Sequence, residues 1–400
     1  MLIKDGLIFY NEVFKKNDIY CEDGIIKKIG FNLDKSTGDF NVVKSDGCLV
    51  LPGFVDMHTH LREPGFSYKE TISSGTKAAL AGGFVTLCSM PNVEPAPDCE
   101  KNLKIQNKII QSDALCCVMP FMSITKCRAG RELIDFRKIP CYCPGISDDG
   151  NGIDDDELAQ KAFRAAAEFG ILISSHCEYK KFSGKLAETE HLRRDLDLVK
   201  EYKCRYHAQH LSCSESFDLV RRAKYLGLPV TCEVTPHHVC FCQNDVRDSG
   251  NFKMSPPLRS QNDKESVVKA LLDGTIDVIA TDHAPHSPQE KERGFLKSLN
   301  GVSGLEVAFA SLYTNLVCTG RINLSKLVNL LTLAPSRILG LRSAIAVGEK
   351  ANLTIVNLEN SWKVEGKKFY SKGKSTPFEG KIVKSSIEYT IFNGNILFKR

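Results

Sequence analysis

The sequence predicts an α/β fold: a TIM-type (β/α)8 barrel over residues 51–345, with a small β-sandwich domain formed by both termini, residues 1–50 and 346–400. Three observations carry this prediction. Short apolar runs of strand length alternate with longer stretches of helical spacing through the middle of the chain. The two ends read instead as alternating strands closed by turn dipeptides, and neither end alone has enough apolar surface for a core. Histidines and carboxylates gather just past the ends of the strand runs, where barrels of this class build their active sites.

At the N-terminus, Ile19-Tyr20-Cys21 and Ile25-Ile26-Lys27-Lys28-Ile29 flank Glu22-Asp23-Gly24 and predict a hairpin closed at Asp-Gly. The far end matches, with strands at 351–356 and 387–392 and a turn at Asn393-Gly394. Between the ends, strands are expected at 49–57, 84–90, 115–121, 141–146, 171–175, 206–211, 230–234 and 276–281. Helices are expected at 71–81, stopped by Gly82-Gly83, and at 154–169, opened by Asp154-Asp155-Asp156-Glu157. Two more are expected at 215–226 and 264–272. A doubly wound open sheet is the competing topology, and the lack of a Gly-x-Gly-x-x-Gly after any strand weighs against it.

Bulk properties narrow the function. The excess of 53 Lys+Arg over 48 Asp+Glu gives a net charge of only +5, too small and dispersed to predict nucleic-acid binding. No apolar stretch approaches the roughly 18 residues of a membrane span. Asp5 and Gly6 interrupt the start before a signal-peptide core could form. None of the sixteen cysteines forms paired Cys-x-x-Cys motifs, and Cys116, Cys117, Cys141, Cys143 and Cys232 lie in apolar runs. A reducing, cytoplasmic protein with free thiols is expected.

The chemistry collects at five strand ends. The first run ends in His58-Thr59-His60, whose i and i+2 side chains share one face of a strand and suit a zinc-like ion. The fourth leads into Ser147-Asp148-Asp149-Gly150, and the fifth into His176-Cys177-Glu178. The sixth ends in Gln209-His210-Leu211-Ser212, and the eighth in Thr281-Asp282-His283-Ala284-Pro285-His286. A calcium loop beginning at Asp148 or Asp149 fails on spacing, because glycines or an Ile fall where carboxylates are needed. His237 and His238, read as neighbours on a strand, would face opposite ways, so at most one would point inward; His191 and His207 read as surface or packing residues.

These strings, together with Leu61-Arg62-Glu63-Pro64-Gly65, Met90-Pro91-Asn92 and Val234-Thr235-Pro236-His237-His238, resemble the signatures of the dihydroorotase family, in its bacterial class I form, within the amidohydrolase superfamily. The resemblance runs from about Leu51 to Glu306. It implies one or two zinc ions per chain. His58, His60 and Asp282 would hold one, and His176 and His210 the other, with Asp149 bridging where many relatives use a carbamylated lysine. Asp148 is the near alternative to Asp149. The implied reaction is the reversible hydrolysis of L-dihydroorotate to N-carbamoyl-L-aspartate, the third step of pyrimidine synthesis. Asp282 would move the proton, while Arg62, Asn92, Ser255 and His286 would bind the substrate.

Two departures from the family pattern stand out. Ser255 occupies a position more often Asn, and the segment from His176 to His210 is shorter than usual. The alternatives are another cyclic amidohydrolase (allantoinase, or hydantoinase/dihydropyrimidinase), or a non-catalytic partner of aspartate transcarbamoylase. The resemblance also implies a homodimer or an assembly with that transcarbamoylase.

Overall fold

The computed structural model describes residues 1–10, 12–33 and 41–400. Strands from the two ends of the chain merge in one eight-stranded sheet. Its order runs Asn395–Lys399, Ile382–Phe392, Leu353–Lys363, Cys48–Pro52, Leu2–Tyr10, Val13–Glu22 and Ile25–Gly30, with Val42–Lys44 beside Leu2–Tyr10. The seam between the ends is the antiparallel pairing of Leu353 with Pro52 through Asn357 with Cys48. Both predicted turns are present. Asp23 and Gly24 have φ of 50° and 75°, and Asn393 and Gly394 have 48° and 76°. Two successive positive φ values match the right-handed twist of the flanking strands. Ile3, Ile8, Ile19, Ile26, Val50, Leu353, Ile355 and Ile391 form a buried apolar cluster separate from the main core.

The central strands are parallel. Phe54–Thr59 pairs with Phe84–Ser89, and that strand with Cys117–Pro120. Ile173–Ser175, Tyr206–Ala208, Val230–Val234 and Val278–Ile279 make a second parallel ladder. Single bridges join the two ladders on one side, Met122 to Ile146 and Ile146 to Ile173, and Thr59 to His283 on the other. The parallel pairings therefore run from Thr59 through every central strand and return to it.

Helices Ile72–Ala81, Asp156–Phe169, Ser214–Tyr225 and Gln261–Leu272 occupy the four predicted stretches. The acidic opening of the second behaves as its charge pattern demands. Asp155 is the cap, accepting from Glu157 N and Leu158 N, which stabilises such a helix by about 1 kcal/mol. Two further long helices, Glu100–Asp113 and Lys185–Tyr202, lie where no helix was named from sequence. The second fills the shortened segment between His176 and His210.

Two strand expectations are corrected. The run 49–57 is not one strand but two, parting at Gly53. A Cβ there would lie 2.3 Å from Val85 Cγ2, so only glycine lets the chain pass from the terminal sheet into the central one. Residues 141–145 are not a strand. Only Ile146 bridges its neighbours, and Cys141 is exposed rather than packed in an apolar run. All sixteen thiols are free, as expected. No described helix is long and apolar enough to cross a membrane.

Candidate metal centre and substrate cavity

The strand ends converge as their periodicity requires. His58 and His60, two apart near the end of Phe54–Thr59, are both buried, and Asp149 stands opposite them. His58 Nε2 lies 3.4 Å from Asp149 Oδ1 and 3.5 Å from Asp282 Oδ1. His60 Nε2 lies 3.5 Å from Asp149 Oδ2 and 2.9 Å from Asp282 Oδ1. On the other side of the same carboxylate, His176 Nδ1 and His210 Nε2 are 3.6 and 3.8 Å from Asp149 Oδ1. Two donor sets, His58–His60–Asp149 and Asp149–His176–His210, thus share one carboxylate, each with its ligand atoms within 4.8 Å of one another.

Asp148, the sequence alternative, faces away. It accepts from Ile124 N, Thr125 N and the Thr125 hydroxyl. Despite the shortened segment, His210 sits beside His176, 2.9 Å between Nε2 and Nδ1.

The hydrogen bonds behind the histidines fix which nitrogen faces the centre. His58 Nδ1–H donates to Glu233 Oε1 at 2.6 Å. His60 Nδ1–H donates to Asn92 Oδ1 at 2.8 Å, while Asn92 Nδ2 donates to Asp149 Oδ2, which sets the amide's orientation. His176 Nε2–H donates to Glu178 Oε2 at 2.9 Å. His58 Nε2 is buried with no hydrogen-bond partner among the described residues. Its lone pair, like that of His60 Nε2, is aimed at carboxylate oxygens. Such an array of acceptors is repulsive by itself and suits a divalent cation held by nitrogen and oxygen.

The electrostatics agree. Burial alone would raise Asp149, yet His58, His176 and His210 hold it well below the usual carboxylate range. Asp282 is likewise lowered against its burial, by His58 and His60. Burial opposes charging His176, but Asp149 and Glu178 push it up to about 9, and His58 is raised for the same reason by Asp149, Glu233 and Asp282. The centre is a pocket of negative potential that draws protons when nothing else neutralises it.

A cavity of about 220 Å³ opens on this centre, lined by His60, Arg62, Asn92, Asp149, Gly150, His176, Glu178, His210, Ser255, Asp282, Ala284, His286, Asn300 and Gly301. Arg62 is buried, and its Nε donates to Pro285 O at 3.2 Å. No carboxylate pairs with it among the described residues. Glu63 is engaged by Ile72 N, and Asp56 by Thr281 and His58 N. Burial lowers the guanidinium only to about 10, so it stays charged at neutral pH and faces the cavity as an unneutralised anion receptor. Arg62, His210 and Asp282 all hold positive φ, at 62°, 30° and 46°. Backbone strain of about 1–3 kcal/mol at each is typical of groups fixed for chemistry.

The sequence readings of several residues are sharpened or corrected. His237 and His238 are not on a strand; they lie in the helical turn Pro236–Cys240, both buried, with His238 held between Thr235 Oγ1 and Pro256 O. Of the two readings for His191 and His207, surface or packing, the structure gives packing, since both are buried. His207 Nε2–H donates to Glu233 Oε2 at 3.1 Å, so one carboxylate steadies both His58 and His207. Asn92 is the orienting partner of His60 as well as part of the cavity. Glu233 went unnoticed in the sequence, although a carboxylate inside the apolar run Val230–Val234 is the signal that marks it. A third group, Cys177, His191 and Asp195, also lies close together, but Asp195 is already engaged by Arg194, Ser175 and Tyr206.

A sequence model of the amidohydrolase family matches residues 49–397. The chain belongs to the amidohydrolase family. Within that family its similarity is to dihydroorotases. It is 39% identical to the dihydroorotase of Staphylococcus epidermidis, covering 100% of this chain and 99% of the relative. It is also 39% identical to that of Bacillus cytotoxicus, covering 100% and 98%. Among solved structures, the L-hydantoinase of Arthrobacter aurescens superimposes with a TM-score of 0.90 at 22% identity, over 100% of this chain and 96% of that one. The dihydropyrimidinase of Brevibacillus agri gives 0.89 at 20%, over 100% and 95%. At those identities the likeness is one of fold.

Proposed function

We infer that this hydrolase opens the ring of L-dihydroorotate to N-carbamoyl-L-aspartate, and closes it in reverse, as a zinc-dependent dihydroorotase. Full-length identity to dihydroorotases supports the activity. The observation that carries the substrate is Arg62: a buried, charged, carboxylate-free guanidinium at a cavity beside two donor sets. A carboxylate-bearing cyclic amide matches it, whereas an uncharged hydantoin ring leaves it unpaired.

In this reading His58, His60 and Asp282 would hold one metal ion and His176 and His210 the other, with Asp149 shared between them. Bound zinc would supply an acidified water and polarise the ring carbonyl. The chain's own groups do the rest. Arg62 grips the substrate carboxylate, with Asn92, Ser255 and His286 along the same cavity. Asp282, held ionised, accepts the proton of the attacking water. As the amide C–N bond breaks, it returns that proton to the leaving ring nitrogen. His58, His60 and His176 keep their lone pairs inward because Glu233, Asn92 and Glu178 occupy their other nitrogens.

The unbroken round of parallel pairings supports a (β/α)8 barrel at residues 51–345. The terminal sheet and its separate apolar cluster support a small β-sandwich domain at 1–50 and 346–400. A homodimer, or an assembly with aspartate transcarbamoylase, is what the family likeness implies, and sizing the protein alone and mixed with that enzyme tests both.

The deciding assay follows ring opening of dihydroorotate, allantoin and hydantoin by protein stripped of metal and then reloaded with zinc. Turnover of dihydroorotate alone, restored by zinc and lost in Arg62→Met, is expected. Equal turnover of the uncharged rings, or an Arg62→Met variant with unchanged KM for dihydroorotate, would overturn the substrate assignment.

A further inference from the structure

Lys291 is a buried lysine without an ion-pair partner. Its side chain is almost fully enclosed, at 3% exposure for the residue, and no carboxylate pairs with it among the described residues. The adjacent Glu290 is taken by Lys69 at 3.0 Å. Instead the Lys291 ammonium donates to three backbone carbonyls: Gly301 O at 2.6 Å, Leu299 O at 2.8 Å and Lys253 O at 3.0 Å. An ammonium has three hydrogens, and all three are used.

Those acceptors lie on two separate segments that meet at one wall of the cavity. Leu299 and Gly301 bracket Asn300, and Asn300 and Gly301 both line the cavity. Lys253 precedes the cavity residue Ser255 by two positions, and its carbonyl also accepts from Gly301 N at 3.0 Å. His286 Nε2–H donates to Asn300 O at 2.7 Å, so the same turn sets the imidazole beside Arg62. Gly301 has φ 132°, and a Cβ there would come within 2.5 Å of Ala284 O. This backbone is pressed against the strand end that carries Asp282. Leu299 N donates to Glu290 O at 3.2 Å, and the ammonium behind the turn adds three more bonds that tie it to the 253–255 segment.

We propose that Lys291 is a positioning residue for substrate binding: it locks the 299–301 turn to the 253–255 segment, and so holds the Asn300, Gly301, Ser255 and His286 wall against the carboxylate end of the substrate. Burial pushes the Lys291 ammonium down to about 7, so the lock rests on its hydrogen bonds to the three carbonyls rather than on a full charge. A hydrophobic isostere would take this donor from Leu299 O and Gly301 O in a buried place and leave Lys253 O with Gly301 N. The donor sets would be untouched, since none of their residues bonds to Lys291.

The proposal rests on the dihydroorotase reading, and its test separates the two. Wild type, Lys291→Met and Lys291→Gln are purified at full length and loaded with zinc. Metal content, dihydroorotate kinetics and affinity for orotate, a planar ring that keeps the carboxylate, are measured on each. Wild type that fails to open dihydroorotate sinks the functional reading itself. Given an active wild type, Lys291→Met is expected to raise KM and weaken orotate at least tenfold, with kcat within threefold and metal content unchanged. Lys291→Gln, which keeps two donors but no charge, should fall between, and covers the case in which the Met variant does not fold. Wild-type KM and orotate affinity in either folded variant overturns the proposal. So does a loss confined to kcat, or one that tracks lost metal.

Discussion

Glu233→Gln is the most informative single change in this centre. The carboxylate accepts from His58 Nδ1 at 2.6 Å, from His210 N at 3.3 Å and from His207 Nε2 at 3.1 Å. An amide offers one acceptor oxygen and one donor group in the same volume. If its oxygen stays toward His58, its NH2 meets His207 Nε2, which must become an acceptor. His207 can comply, because its Nδ1 lies 2.8 Å from Thr231 Oγ1, a hydroxyl able to accept a hydrogen bond from Nδ1–H. The fold should therefore survive with His58 Nε2 still presenting its lone pair. What is lost is charge assistance to the 2.6 Å bond. Bonds to charged groups stabilise by about 1.5–3 kcal/mol, and neutral ones by about 0.5–1.5 kcal/mol. The difference, about 1.4 kcal/mol, is about tenfold in zinc affinity, within the range found for such outer partners of a metal-bound histidine. Competition against a zinc-binding dye measures it directly. Expected are a dissociation constant raised about tenfold, kcat at saturating zinc within a few-fold of wild type, and an unchanged melting temperature within a few degrees. Unaltered zinc affinity in folded Glu233→Gln would refute the claim that this carboxylate tunes His58 as a ligand.

Three further outcomes follow from the same structure. Asp282→Asn should retain most of its zinc, because His58, His60 and Asp149 remain, yet lose kcat by several orders of magnitude; a near-normal rate would remove Asp282 from proton transfer. Asp149→Ala should cut metal stoichiometry most at the His176–His210 position, by elemental analysis after gel filtration, and wild-type stoichiometry would end its assignment as the bridge. Glu306 is partly buried, accepting from Tyr370 N and Ser371 N, and burial pushes it up to about 7 from 4.5. The native state then binds the proton more tightly than the unfolded chain does. Its stabilising influence is complete below about pH 4.5 and is lost as pH rises through 7. Relative to Glu306→Gln, wild type should lose up to about 3 kcal/mol between pH 4.5 and 8 in urea unfolding, less where solvent screens it. A pH-independent gap between the two proteins would show that Glu306 has an ordinary pKa.

The elements most legible in the sequence are those whose signal is local. The Asp23-Gly24 and Asn393-Gly394 turns, the capped helix Asp156–Phe169 and the two imidazoles two apart on one strand face are each determined within a few residues. Elsewhere the local signal misled. The apolar run 49–57 looks continuous, yet it serves two sheets, because the break at Gly53 depends on Val85, far along the chain. The 141–146 run has strand composition, but only Ile146 finds partners. His237 and His238 follow Thr235-Pro236, a cap and first-turn proline that start a helical turn, so a strand argument about their faces could not apply.

By itself the sequence determined which chemical groups would end the strands, and that imidazoles, carboxylates and one arginine would be available at one rim. Tertiary structure decided how they are used: Asp149 rather than Asp148 between the histidines, Arg62 left without an acid, and Glu233 and Asn92 taking the outer nitrogens of His58 and His60. Periodicity is a property of neighbouring residues, and it places a side chain on a face. A ring nitrogen's lone pair, or a buried charge's lack of a partner, depends on groups from tens to well over a hundred residues away, and only the packed chain brings those within hydrogen-bond reach.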